Sequence, residues 1–201
     1  MSERKLQLVT EEHTRDVLSM SDDELMLLSA AGRRDAFETL VARHYAMICA
    51  TASQYLGDEG LGKDVAQDTF LSIWNHRRRY MSTGRFRSYL IKVMFNFCHM
   101  MARSHKADLR RRNLFLLEQE TGVIPQDVPL DVLMRSEMSR VVQAHLVQLP
   151  PKERKTLLLR YGQGLSMVET ADLMGIPVGT AKSHAARGLK RLHKKLTRRP
   201  V

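Results

Sequence analysis

The sequence predicts an all-α protein built as two small helical domains joined by a flexible linker. Three observations carry that expectation. Helix formers such as Leu, Ala, Met, Arg and Lys are common, aromatics make up only 6% of the chain, and Val and Ile never alternate over a long stretch. Capping residues and glycine stops recur at helix-length intervals. With 201 residues and 43% hydrophobic content, the chain is long enough for one or two real cores.

Residues 1–20 show no clear periodicity and read as a loose N-terminal extension. Ser21 followed by Glu24 forms a capping box, so a short helix is expected from there to Ala31, with Gly32 as its stop. Asp35 is the expected cap of the next helix. Its apolar positions Ala36, Leu40, Val41, His44, Tyr45, Ile48 and Ala52 run at helical spacing until Gly57, and Asp58-Glu59-Gly60 reads as a turn. A third helix is expected from Leu61 to about Arg77, with Val65, Ala66, Phe70, Ile73 and Trp74 inward. Its other face carries Lys63, Asp64, Gln67, Asp68 and an exposed Leu71. As a group these suit docking to a basic protein surface. Residues 77–85 form a basic loop with one aromatic, Tyr80. A fourth helix follows from about Phe86 to Ala102, with Phe86, Tyr89, Leu90, Val93, Met94, Phe97 and Met101 toward the core and Asn96 off that stripe.

From 104 to about 135 the periodicity weakens, and Pro125 and Pro129 mark a linker that includes an apolar run at 114–117. Ser136 to Leu149 reads as helix again. Pro151 then opens a helix reaching Tyr161, with Leu157 and Leu158 inward and Gly162 and Gly164 at its end. Ser166 with Glu169 is a second capping box, and Gly175-Ile176-Pro177 stops that helix. The last helix, Val178 to Leu196, aligns Val178, Ala181, Ala185, Leu189, Leu192 and Leu196 on one stripe. Thr180, Ser183, Arg187, Lys190 and Lys194 fall opposite. Two helices with a short Gly-containing turn, the second basic on its free face, form a helix-turn-helix suited to the DNA major groove.

Net charge is +10, which points to a polyanionic partner. Its distribution is more telling: neither 69–107 nor 173–201 contains a single Asp or Glu, and together they hold half of the 32 Lys and Arg residues. Two separated acid-free blocks suggest two contact points on one nucleic acid. In the first, a basic loop with an aromatic beside a helix presenting an amide suits single-stranded DNA: cations follow phosphate, a ring stacks and an extruded base is read on its edge. The plain alternative is that Tyr80 packs and Asn96 caps. Cys49 and Cys98 have no CxxC or ligand spacing and are expected as buried free thiols. The eight histidines show no HExxH pattern, so no metal and no cofactor are expected. No apolar run approaches a membrane span and no signal core is present, which predicts a cytoplasmic protein without membrane insertion.

Six ordered segments resemble the extracytoplasmic-function (ECF) group of bacterial sigma factors, the promoter-recognition subunits of RNA polymerase. Residues 35–45, 64–74 and 86–96 resemble sigma region 2. Residues 149–154, 159–166 and 178–183 resemble sigma region 4. The resemblance implies a region 2 domain over 21–103 that binds core polymerase and the −10 element. It implies a linker over 104–135 and a region 4 domain over 136–201 that binds the −35 element. It further implies that Asp64, Gln67, Asp68 and Leu71 grip the β′ clamp helices. The −10 readers would be Arg79, Tyr80, Arg85, Lys92 and Asn96. The −35 side would use Arg160, Ser166, Thr180, Lys182, Ser183, His184 and Arg187. The implied partners are core RNA polymerase through its β′ clamp helices and β flap, promoter DNA, and an anti-sigma factor, with no small-molecule substrate. This sequence departs from the family pattern at His184, where Arg is usual, and at Ala181 and Ala186, where one residue is usually bulkier.

Two rivals make different demands. A stand-alone helix-turn-helix regulator would use 136–196, with the first half as sensor or dimerisation domain, and would bind duplex DNA tightly without polymerase. An enzyme acting on nucleic acid needs clustered carboxylates or a nucleophile with a base, and no His or third acid joins Asp64 and Asp68 in sequence.

Overall fold

The computed structural model describes residues 17–113 and 141–197, with side chains described for 17–104 and 141–197. All regular elements among these residues are helical. Helix α1 (Asp22–Ala30) begins at its capping box: the Glu24 N–H donates to Ser21 Oγ, and the Ser21 N–H donates to the Glu24 carboxylate at 2.8 Å. Residues 17–19 just before it are helical and Val17 is buried, so the extension expected to be loose is packed at its C-terminal end. Helix α2 (Arg34–Leu56) starts one residue before Asp35. Asp35 is therefore not the cap but a first-turn carboxylate, held by the Arg33 guanidinium and favoured there by the unpaired N–H groups of the helix start. Helix α3 (Glu59–His76) is capped by Asp58, whose Oδ1 accepts from the Leu61 N–H at 2.8 Å. Glu59 and Gly60, expected in a turn, are thus the first turn of α3. A 3₁₀ turn (Arg77–Arg79) leads into the loop before α4 (Phe86–Asn113).

Helix α4 runs past the expected end near Ala102. Residues 103–113 hold no Gly or Pro and several good helix formers, so the change in charge there does not break the backbone. Its buried stripe is also rotated. Ile91, Phe95 and Cys98 are buried beside Phe86, Leu90 and Met94, while Tyr89, Val93 and Phe97 are half-buried. Both flanks of this helix are apolar, so periodicity alone cannot choose between them. Beyond residue 113 the expected linker, including its apolar run, lies outside the described residues until 141.

The chain divides into two compact units, Met1–Ala52 with Gly62–Phe97, and Ser53–Leu61 with Cys98–Val201. Leu25, Met26, Leu40, Ile48, Val65, Ile73 and Phe86 are among the fully buried side chains of the first. In the second, a helix at 141–147 (α5) precedes α6 (Pro151–Leu157), with Pro151 at its first position as expected. The winding then loosens to a π-helix over Leu158–Gly162, where a continuous helix to Tyr161 was expected. Helix α7 (Met167–Met174) opens on the Ser166–Glu169 capping box and closes on Gly175, left-handed at φ 64°, where a side chain would be strained. Helix α8 (Val178–Leu196) completes the helix-turn-helix. Leu149, Leu157 and Ala185 form its core, with Leu146, Met167 and Leu192 against them. Within the same unit the Arg154 guanidinium donates to the backbone carbonyls of Tyr55, Val147 and Leu149.

The buried side of α8 is Ala181, Ala185 and Gly188. Leu189 and Leu196, expected on that stripe, are 41% and 40% exposed. Gly188 takes the place because α6 comes too close for a side chain: a Cβ there would lie 3.1 Å from Leu157 Cδ1 and 3.4 Å from Glu153 Cβ. Among the described residues no helix is long and apolar enough to cross a membrane.

Candidate nucleic-acid interface

The outer face of α8 carries Thr180, Ser183, His184 and Arg187 at i, i+3, i+4 and i+7, so the structure brings these four onto one surface. Lys182 is exposed but, two residues from Thr180, falls off this stripe, so the structure does not group it with the other four. One Arg187 N–H nitrogen donates to His184 Nδ1 at 2.9 Å, which leaves the imidazole proton on Nε2. Ser183 Oγ donates to the Gly179 carbonyl at 2.9 Å, an i−4 contact that a rotamer change releases. The two remaining −35 candidates are already engaged. Arg160 donates to the Leu165 carbonyl at 3.0 Å, and Ser166 serves as the cap of α7. Glu153, not singled out from sequence, reaches this surface from α6. Its side chain is 6% exposed, and its carboxylate lies 3.8 Å from Arg187 Nε and 3.5 Å from Arg191 Nε. No local signal marks it, because the contact joins two helices.

The second surface is the loop before α4. The Tyr80 hydroxyl donates to Asp23 Oδ1 at 2.6 Å, and its ring stands edge-on to Phe86 at 6.0 Å and tilted to Tyr89 at 5.4 Å. Partial burial, then the adjacent Asp23 carboxylate, push the phenol's pKa well above its ordinary value. Tyr80 thus belongs to an aromatic cluster on the first unit. Arg79 and Arg85 are exposed. On α4, Lys92 and Asn96 are exposed three and seven residues after Tyr89, so a ring, a cation and an amide share one face. Arg77 is committed elsewhere: it donates to the Trp74 carbonyl at 2.8 Å and lies 3.9 Å over the Trp74 ring.

The third surface is the ridge Asp64, Gln67, Asp68 and Leu71 on α3. Asp64, Gln67 and Leu71 are exposed, Leu71 at 59%, and Asp68 is half-buried. Beside the ridge runs an apolar groove of about 470 Å³, where Phe37, Val41 and Tyr45 of α2 face Phe70, Leu71 and Trp74 of α3, with Gln67 also lining it. Sequence periodicity read Val41, Tyr45, Phe70 and Trp74 as core and passed over Phe37; the gap between the helices is invisible until they are packed. Cys98 is buried, and burial pushes its thiol up to about 12, far from the range of a reactive thiolate.

Residues 40–107 match the family described as Sigma-70 region 2, and residues 139–192 match Sigma-70, region 4. The chain is 30% identical over 165 residues to RNA polymerase sigma factor CarQ of Myxococcus xanthus, covering 82% of this chain and 91% of that one. It is 27% identical over 174 residues to ECF RNA polymerase sigma factor SigW of Bacillus subtilis, with the same coverages of 82% and 91%. Among solved structures it resembles CnrH in complex with the cytosolic domain of CnrY, with a TM-score of 0.65, 24% identity, and 87% and 96% coverage. The sigma factor RpoE bound to the anti-sigma factor NepR, from Bartonella quintana, gives a TM-score of 0.63, 20% identity, and 81% and 98% coverage. Both structural likenesses are of fold. With both sigma regions matched in order, and with CarQ aligned over most of its length, the chain belongs to the sigma-70 family of RNA polymerase sigma factors, in its ECF group.

Proposed function

We propose that this protein binds core RNA polymerase and directs it to a defined set of promoters. In this reading residues 21–103 hold the polymerase and the −10 element, residues 136–201 hold the −35 element, and the span 104–135, whose first part continues α4, connects them. Asp64, Gln67, Asp68 and Leu71 grip the β′ clamp helices, the acids meeting basic side chains while the neighbouring groove takes apolar ones. Arg79, Tyr80, Arg85, Lys92 and Asn96 hold the unstacked −10 strand. Thr180, Lys182, Ser183, His184 and Arg187 read the −35 major groove, with Arg160 and Ser166 on its phosphate side and the β flap behind region 4. A good bidentate contact to a base edge is worth about 1–3 kcal/mol of discrimination. Phosphate contacts from the two acid-free blocks supply position and salt dependence. Opening proceeds by capture of an unstacked base, without catalysis by this chain. The protein works in the cytoplasm, and an anti-sigma factor that covers the same surfaces holds it inactive.

The observation that carries this reading over a stand-alone regulator is the match to both sigma regions in order, over 40–107 and 139–192, where such a regulator needs only the second; the apolar groove beside Gln67 and Leu71 supports it. Run-off transcription with purified core polymerase on a pool of genomic fragments tests it. Discrete start sites that depend on this protein are expected. Tight, specific duplex binding without polymerase, and no start-site choice with it, would overturn it.

A further inference from the structure

In the first unit, four donors converge on one carboxylate. Asp23, in the first turn of α1, accepts at Oδ1 from the Tyr80 hydroxyl at 2.6 Å, Ser82 Oγ at 3.1 Å and the Gly84 N–H at 3.1 Å. Its Oδ2 accepts from the Phe86 N–H at 3.1 Å. An ionised carboxylate has about four lone-pair sites, two on each oxygen, so the three donors at Oδ1 use it fully while Oδ2 keeps one site beyond the Phe86 N–H. The donors sit at every second residue, from the end of the 3₁₀ turn to the first residue of α4. One side chain thereby fastens both ends and the middle of the loop to a helix 57 to 63 residues away along the chain. Gly84, at φ 69°, supplies the left-handed turn that lets the backbone curl around the carboxylate. Partial burial opposes the charge on Asp23, but the bonds from Tyr80, Phe86, Ser82 and Gly84 outweigh it and hold its pKa below the ordinary value.

The same arrangement sorts the loop's side chains. Tyr80 turns inward to Asp23, Phe86 and Tyr89, whereas Met81, at 81% exposure, Thr83 and Arg85 are left outside. A loop of this length without such a fastening would have to be ordered when the DNA arrives, and that ordering would weaken binding. We propose that Asp23 is the positioning residue of the −10 reader: it sets the loop 80–85 in the shape that receives an unstacked base, so that base discrimination depends on a side chain that touches no DNA. This rests on the −10 reading given above.

The test uses the full chain with core polymerase, on a promoter obtained by run-off selection and on versions of it substituted at each −10 position. Opening is followed by 2-aminopurine fluorescence, beside core pull-down and binding of the −35 duplex. Asp23→Ala should lower opening of the preferred sequence and flatten its preference over the substituted ones by about tenfold, the scale of a lost hydrogen bond to a charged group. Core and −35 binding should be unchanged. Asp23→Asn should recover part of the preference, because its amide oxygen still accepts from Tyr80, Ser82 and Gly84. Tyr80→Phe, which removes a single donor, should fall between wild type and Asp23→Ala. Asp23→Ala with wild-type preference overturns the proposal, as does a loss of core binding in step with opening in both Asp23 variants. A wild-type protein indifferent to the −10 bases overturns the −10 reading itself, and this proposal with it.

Discussion

Replacing Gly188 tests the close helix approach on which the helix-turn-helix is built. An added Cβ meets Leu157 at 3.1 Å and 3.2 Å, and Leu157 is itself 4% exposed, so it has little room to move. Overpacking of this kind costs about 1–3 kcal/mol. Alanine also regains roughly 1 kcal/mol over glycine inside a helix, so from the middle of that range Gly188→Ala should lose about 1 kcal/mol. Valine brings two further carbons to the same contact and recovers only a few tenths in propensity, so Gly188→Val should lose about 2 kcal/mol. Urea unfolding followed by far-UV circular dichroism measures the loss. Trp74, the only tryptophan, lies in the other unit and serves as a fluorescence reference. The valine protein should unfold at lower urea and bind the −35 duplex more weakly, while the Trp74 transition stays in place. If Gly188→Val is as stable as Gly188→Ala, Leu157 does not press on α8 at this position and the close approach of α6 is refuted.

The proposed roles of the separate surfaces make two further predictions. Arg187→Ala should weaken binding to a −35 duplex by about 1–3 kcal/mol, measured by fluorescence anisotropy, with core pull-down unchanged; loss of core binding instead would show that the α8 face is misassigned. Asp68→Ala and Leu71→Ala should each reduce core pull-down and leave −35 duplex affinity at the wild-type value. The opposite pattern would remove the α3 ridge from the polymerase interface.

Much of this protein is decided within four residues of chain, and that part is legible in the sequence. Ser21 with Glu24, and Ser166 with Glu169, close hydrogen-bonded caps between near neighbours, and Gly175 takes its left-handed turn for reasons of its own backbone. The exposed face of α3 follows from helical spacing once those ends are known, and that of α8 does so except at Leu189 and Leu196. Tertiary structure decided the rest. Nothing near Asp23 distinguishes it from Asp22, which instead bonds Arg43 and His44. Only packing brings the Tyr80–Phe86 loop to one acid and not the other. Likewise Gly188 looks like a weak point in α8 until Leu157 is placed against it, and Leu189 looks buried until Gly188 takes that side. A cap is written in adjacent letters, whereas a contact across many residues depends on which faces meet, and several faces of this chain are apolar enough to have met differently.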